Sequence, residues 1–279
     1  MASGGSPRSD FLATDHPHAG IQRLRAGFFG HAYDPHRHET YAIGVTESGI
    51  QAFRYRGIDR ASTIGMTMVL HPDELHDGHA VAPDGFVYRM LYIDAALIGA
   101  ALGDAALPSV ADAVGPDPAL VAALDEAFEG FPDQFTSLAG AGIVGAIADR
   151  LAFRAGRQVA PRPAHHHGAR LDRAREQLDA ADLSATAEDL EAVSGLDRYT
   201  LARAFRARFG TSPHRYLVGR RLQRVKDAIA AGECLAEAAL AGGFADQSHM
   251  TRHFKARFGL TPGRYAQLLR RSDRSAGHA

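Results

Sequence analysis

The period of the apolar positions changes partway along the chain. Up to about residue 95 they alternate. Met66, Met68 and Leu70 are interleaved with Thr67, Val69 and His71, and Phe86, Tyr88, Met90 and Tyr92 with Val87, Arg89, Leu91 and Ile93. A period of two predicts half-buried strands. Turn residues separate these runs at Glu47-Ser48-Gly49, Arg56-Gly57, Pro72-Asp73 and Pro83-Asp84-Gly85, and short strands between regular turns predict a sandwich or barrel. Helical spacing then takes over, first in Leu120, Ala123, Leu124, Ala127 and Phe128, next in Ile143, Ala146, Ile147, Arg150 and Leu151. Each stripe needs a partner surface, either the barrel or a second subunit. From Leu171 to Leu269 the pattern is helical throughout, punctuated by Gly195, Gly210, Gly232, Gly243 and Gly259.

The segment Gly156–Gly168, GRQVAPRPAHHHG, breaks any helical pattern and reads as a linker. Its run His165-His166-His167 reads as solvated linker sequence rather than a metal site. Dividing the chain there exposes a charge split that the net charge of −1 conceals. Residues 1–167 hold 12 Arg against 19 acidic residues, net −7, and residues 168–279 hold 17 Arg and 2 Lys against 13, net +6. Only the second half is suited to a polyanion. The rest of the composition narrows the class. With 279 residues, 46% apolar and 23% charged, the chain is an ordinary globular sequence, which excludes a disordered, collagen-like or disulfide-scaffold protein. No apolar run is long enough to span a bilayer, the opening MASGGSPRSD has no apolar signal region, and the single Cys234 forms no internal disulfide. The expectation is a cytoplasmic protein without a membrane partner, with Cys234 as a packing residue before an apolar helix.

An internal repeat carries the most information. Arg198–Tyr216, RYTLARAFRARFGTSPHRY, matches Gln247–Tyr265, QSHMTRHFKARFGLTPGRY, at 9 of 19 positions with an offset of 49. Leu201, Phe205 and Phe209, and likewise Met250, Phe254 and Phe258, give each copy one buried helix face. Gly210 or Gly259 then stops the helix, and Ser212-Pro213 or Thr261-Pro262 caps and opens the next. The remaining faces are polar and mostly basic, with Arg198, Tyr199, Arg203 and Arg206 in one copy and Gln247, Ser248, Arg252 and Lys255 in the other. Each copy follows a short apolar helix and a glycine turn, Ala187–Ser194 before Gly195 and Leu235–Gly242 before Gly243. That order is the grammar of a helix-turn-helix reading double-stranded DNA. Residues near the helix N-termini (Arg198, Tyr199, Gln247, Ser248) are expected to face bases, and those a turn later (Arg203, Arg206, Arg252, Lys255) to face phosphates. Pro213 to about Ala231 reads as one connecting helix, roughly 28 Å long at ~1.5 Å per residue.

On these residues the chain resembles the AraC/XylS family of bacterial transcription regulators. The likeness spans about residues 168–271 and is strongest in Ala238–Lys255, AALAGGFADQSHMTRHFK, continuing through Arg257–Pro262, RFGLTP. Glu191 departs from the small residue that the family often carries there. The resemblance implies a DNA-binding domain of seven helices with two helix-turn-helix units.

The first half carries Pro35-His36-Arg37-His38-Glu39, then Gly49, then Pro72-Asp73-Glu74-Leu75-His76-Asp77-Gly78. Over about residues 20–95 it resembles the cupin-type barrel that is the ligand-binding domain of many such regulators. His36 and His38 share a strand face at i, i+2, and the Pro72 turn is expected to bring His76 to them. Three histidines suffice for a divalent ion such as zinc, but the glutamate of a metal cupin is absent, its positions being Ala42 and Ile43. The alternative is an organic-effector pocket lined by His36, His38, Tyr41, His76 and Tyr88, with Phe53, Tyr55 and Tyr92 as further walls. No nucleophile elbow, P-loop or dinucleotide fingerprint is present.

The expected organisation is α+β and multidomain. It comprises a flexible N-terminus (1–19), a cupin-like effector-binding barrel (20–116), a helical dimerisation or relay segment (117–155), a linker (156–168), a double helix-turn-helix DNA-binding domain (169–271) and a flexible tail (272–279). The expected function is a non-enzymatic, effector-responsive DNA-binding regulator acting as a homodimer. The alternative is a metal-dependent cupin enzyme, a dioxygenase or isomerase, with an accessory helical domain.

Overall fold

The computed structural model describes residues 9–103, 106–131, 135–157, 167–180, 183–267 and 269. The chain divides into two compact units, Met1–Pro161 and Arg162–Ala279. Most of the expected linker, with His165 and His166, and the expected tail 272–279 lie outside the described residues.

The first unit is built on one long strand. Its strands are β1 (Phe11–His18), β2 (Ile21–Phe28), β3 (His31–His36), β4 (Thr40–Tyr55), β5 (Ile58–Thr63), β6 (Met66–Leu70), β7 (His76–Ala80), β8 (Phe86–Asp94) and β9 (Val114–Pro116). One sheet runs β1-β2-β8-β4-β6-β9, while β3, β7 and β5 join through the second half of β4. The strand therefore belongs to two sheets. Its first half pairs β8 from Thr40 to Gly49, with a register shift between Thr46 and Ser48, and its second half pairs β5 from Ile50 to Tyr55. Gly49 sits at the changeover with φ +72°, and a Cβ there would lie 2.0 Å from the Gly85 carbonyl oxygen. Only glycine fits that bend.

The bend turns alternate residues of both sheets toward one apolar cluster. Leu24, Ala26, Ala42, Phe53, Tyr55, Met68, Leu70, Phe86, Tyr88 and Met90 pack together there. The opposite parity, Tyr41, Ile43, Val45, Leu91 and Ile93, is equally buried, so the larger sheet is covered on both faces. The helices α1 (Ala95–Ala101), α2 (Pro118–Phe128) and α3 (Ser137–Arg154) belong to the same unit. Arg23, fully buried on β2, pairs with Asp15, donates to the Ala127 carbonyl at 2.7 Å, and lies 5.2 Å from each of the Phe131 and Phe135 rings. This ties the helices to the sheet.

Two expectations change. The flexible N-terminus expected to residue 19 gives way to strand β1 from Phe11. Its residues are mostly exposed, so it has no apolar alternation to announce it, and it is held by its ladder to β2 and by Asp15 on Arg23. Of the stripes Leu120/Leu124/Phe128 and Ile143/Ile147/Leu151, Phe128 is half-buried and the other five residues are 0–1% exposed within a single chain. Those five pack inside their own unit and leave no face for a second subunit.

The second unit contains α4 (Gly168–Leu178), α5 (Ala187–Ser194), α6 (Arg198–Phe209), α7 (Pro213–Ala230), α8 (Leu235–Ala241) and α9 (Gln247–Phe258). Helices α6 and α9 end at Gly210 and Gly259 in the left-handed conformation, and Ser212 caps α7 ahead of Pro213. One face of α7 (Leu222, Val225, Ile229) shares a cluster with Ala238, Ala239, Phe244, Met250 and Phe254. Cys234 is the exposed N-cap residue of α8, held by its amide on Glu237, and not a packing residue.

The bend in β4 gives a direct test. Gly49→Ala should cost at least ~2 kcal/mol, since strain and a backbone clash add. Gly57→Ala, at φ +73° but in open space, should cost about 1 kcal/mol. Thermal unfolding of the full chain should show the larger fall in Tm for Gly49→Ala; equal falls would mean that the bend is dispensable.

Candidate effector site and nucleic-acid interface

The β3–β4 connection and the Pro72 turn are laced together. The Asp73 amide donates to the His38 carbonyl at 2.9 Å, and Arg37 donates to the Asp73 carbonyl at 2.7 Å. In the ladder His36 stands opposite His76, and His76 opposite Tyr55. The three expected histidines therefore meet, with ring centroids 4.4 Å apart for His36 and His76, 4.8 Å for His38 and His76, and 6.3 Å for His36 and His38. Each Nδ1 lies 2.8–2.9 Å from a backbone carbonyl, of Asp34, Thr40 and Glu74 respectively. A carbonyl only accepts, so Nδ1 carries the hydrogen and Nε2 keeps its lone pair in each neutral ring. Burial lowers the pKa of His38 and brings that of His76 down to about 4. The Nε2 of His38 is buried without a hydrogen-bond partner.

The zinc expectation finds no support in this geometry. Among the described residues no three His, Cys, Asp or Glu side chains are placed to hold a metal ion. The histidine rings pack instead on each other and on the rings of Tyr33, 5.4 Å from His36, and Tyr92, 5.3 Å from His38. Ala42, where a metal cupin would carry its carboxylate, is in the apolar cluster.

Tyr41 does not join the group. Its neighbour Ala42 belongs to the inner cluster, so Tyr41 faces the other side of the sheet. There it donates to the Pro108 carbonyl at 2.8 Å, and burial pushes its pKa up to about 12. Tyr88 is inside but 2% exposed, its hydroxyl 2.9 Å from that of Tyr33, so it belongs to the core rather than to an open wall. Sequence reasoning missed His71. It is buried, with Nδ1 2.7 Å from the Tyr55 hydroxyl, and its Nε2 accepts from the Val110 amide at 2.8 Å. Burial lowers its pKa to about 4.

It also missed a cleft of about 340 Å³ beside the trio, lined by residues including His16, His18, Gln22, Thr40, Tyr92 and Asp94. The β1–β2 turn closes one side, where the Asp94 amide donates to the Gly20 carbonyl at 2.8 Å. Thr40 and Tyr92 form the wall shared with His38. His16 and His18 repeat the i, i+2 spacing of His36 and His38, and that was the available signal.

In the second unit the two polar helix faces differ. On α9, Gln247, Ser248, Arg252 and Lys255 are all exposed. His249 and His253 turn inward beside Phe244, and burial lowers the pKa of His249 to about 4. On α6, Tyr199, Arg203 and Arg206 are half-buried. Arg198 is in an ion pair with Glu191, Nη2 to Oε2 at 2.6 Å and Nε to Oε1 at 3.2 Å. The α7 helix joining the two motifs is continuous over Pro213–Ala230.

No curated protein matches the chain. Solved structures similar to it include ToxT from Vibrio cholerae O395 (13% identity, 90% of this chain and 99% of that one, TM-score 0.37). An AraC-type DNA-binding regulator from Chromobacterium violaceum is also similar (22%, 38% and 96%, TM-score 0.35). So is a probable AraC family regulator from Rhodopseudomonas palustris (26%, 36% and 97%, TM-score 0.34). Two family profiles match, an AraC-like ligand binding domain over residues 18–148 and a helix-turn-helix domain over residues 190–268. The first contains the histidine trio and all of the cleft lining except His16, the second both turn glycines and the exposed face of α9. Together they cover most of the chain, which belongs to the AraC family and is a ligand-responsive transcriptional regulator.

Proposed function

We propose that this regulator senses a small polar effector in the cleft beside Tyr92 and reads DNA chiefly through α9. The observation that carries the sensing site is the cleft itself, whose lining gathers the polar side chains of Gln22, Thr40, Tyr92 and Asp94 around about 340 Å³. The carboxylate of Asp94 and the side-chain oxygens of Gln22 and Thr40 can accept hydrogen bonds, so a ligand bearing donors suits this lining. Tyr92, whose pKa burial raises, supplies a neutral hydroxyl, and the His38 ring packs against it at 5.3 Å. The volume is at the small end of organic-ligand sites. The family profiles favour the regulator over the cupin-enzyme alternative, as does Ala42, which stands in the apolar cluster where a metal cupin would carry a carboxylate. No helix among the described residues is long and apolar enough to cross a membrane, and we place the protein in the cytoplasm as a homodimer. Its dimer face lies elsewhere than the two buried stripes, and light scattering of the full chain tests the stoichiometry.

For DNA, Gln247 and Ser248 at the start of α9 are placed to meet base edges, with Arg252 and Lys255 one turn later for phosphates. Tyr199, Arg203 and Arg206 hold the corresponding positions on α6. At ~1.5 Å per residue α7 is about 27 Å long. With the widths of the motifs added, that suits two major-groove faces about 34 Å apart.

A thermal-shift screen of the full chain against polar metabolites should find compounds that raise the Tm, with the shift lost in Asp94→Asn and Tyr92→Ala. Hits that survive both substitutions would move the site elsewhere. On DNA, Lys255→Ala should weaken all sequences alike and flatten the salt slope by roughly one unit, while Gln247→Ala should relax preference at one box. Footprints insensitive to both would make the second motif structural.

Buried neutral histidines also tie stability to pH. His71, His76 and His249 sit at about 4 when folded, against about 6.5 in an unfolded chain. Between those values the unfolded state binds more protons, so stability is lost as the pH falls from about 7 toward 4. Urea unfolding should show a lower midpoint at pH 5 than at pH 7, with a loss of a few kcal/mol. A flat profile would mean that these rings are solvated.

A further inference from the structure

We propose that Glu191 is a specificity-determining residue that withholds Arg198 from DNA, so that the first helix-turn-helix unit docks without its leading arginine. The pair is bidentate. Arg198 Nη2 lies 2.6 Å from Glu191 Oε2 and Nε 3.2 Å from Oε1, and Glu188 Oε1 adds a contact to Nη2 at 3.1 Å. Reading a guanine takes two parallel N–H donors from one guanidinium edge. Here the Nε/Nη2 edge is filled by Glu191, and the contact with Glu188 also engages Nη2, which the other edge shares.

The backbone at this helix end is equally committed. The Arg198 amide donates to Glu191 Oε1 at 2.8 Å, and the Tyr199 and Thr200 amides donate to Asp197 Oδ1 at 3.2 and 2.9 Å. The donors that a helix N-terminus would offer a phosphate are thus satisfied by carboxylates of the protein. Glu188, Glu191 and Asp197 surround one arginine, so the local charge is unfavourable to a phosphate backbone.

The second motif lacks this arrangement. Counted back from the turn glycines Gly195 and Gly243, the position of Glu191 is Ala239, which is 1% exposed in the cluster under α8. The repeat partner of Arg198 is Gln247, which is exposed. The asymmetry therefore comes from one carboxylate on α5 and its arginine on α6. Both side chains retain 27–29% exposure, so solvent weakens the pair and it opens at modest cost.

The test is a salt series of fluorescence anisotropy with the full chain and a 30-bp duplex pool of mixed sequence, comparing wild type, Glu191→Ala, Glu191→Gln, Arg198→Ala and the double variant Glu191→Ala/Arg198→Ala. Glu191→Gln keeps an acceptor for the Arg198 amide, which guards against a simple loss of folding, and circular dichroism monitors the helices. Both Glu191 variants should bind several-fold more tightly at low salt and steepen the salt slope by about one unit, as a freed cation reaches a phosphate. Arg198→Ala and the double variant should keep the wild-type slope. A slope flattened by about one in Arg198→Ala, unchanged in the folded Glu191 variants, or still steepened in the double variant would overturn the proposal. Absence of duplex binding by every form, wild type included, would overturn the DNA-binding reading and this proposal with it.

Discussion

The first unit depends on a single bent strand. β4 runs for sixteen residues, but Gly49 lets it leave one sheet and enter another where the Gly85 carbonyl oxygen admits no side chain. Everything in the candidate effector site follows from that change of direction. The start of β4 supplies Thr40 to the cleft, and its end sets Tyr55 opposite His76. Because β7 pairs the second half of β4 and β3 pairs β7, the histidines of two distant segments touch. Hydrogen bonds from Asp73 and Arg37 then fix the loops, and three backbone carbonyls fix the rings. The result is three rings held in fixed orientations by the backbone before any ligand arrives.

In the second unit the corresponding part is α7. The helix gives one face to the cluster under α8 and α9, and Arg221 ties it to the Leu183 carbonyl at 2.7 Å. Gly242 packs against it so closely that a Cβ would lie 2.5 Å from Val225 Cγ2. In the proposed reading this helix lets two short motifs act as one reader, because the separation of the recognition helices is set by helix geometry rather than by a flexible link. The sequence repeat makes the two motifs look interchangeable, yet their exposed chemistry differs. On α9 the cations Arg252, Lys255 and Arg257 and the uncharged Gln247 and Ser248 are exposed, whereas the leading arginine of α6 is already paired.

Much of this was legible in the order of residues. Alternation located β6 and β8 and assigned Met68, Leu70, Phe86, Tyr88 and Met90 to one buried face. The glycines that end α6 and α9 were visible because a left-handed residue has few alternatives. What stayed hidden was information that periodicity does not hold. A stripe such as Leu120/Leu124 says that a surface is covered, not whether the cover is the same chain. The parity that puts Ala42 inside puts Tyr41 outside, and an aromatic in a strand gives no sign of which face is which until the register is known. Strand β1 has no apolar alternation, so only its partner reveals it. His71, Tyr55 and Val110 meet through long-range packing. The Glu191–Arg198 pair spans a helix–turn–helix junction whose geometry is fixed only by the fold. The histidine spacing was read correctly as convergence, but spacing does not say whether nitrogens aim at a common point or rings pack on one another.

The central claim is a division of labour, with DNA read by α6 and α9 and the sheet unit left free to sense a ligand. Hydrogen–deuterium exchange of the full chain, with and without a duplex selected from a random pool, tests it most directly. The account predicts slower exchange at the start of α9 and at the turns preceding α6 and α9 when DNA is bound, with the strands that carry His36, His38 and His76 unchanged at their ladder amides. Protection concentrated in those strands, with α9 exchanging as in the free protein, would contradict it.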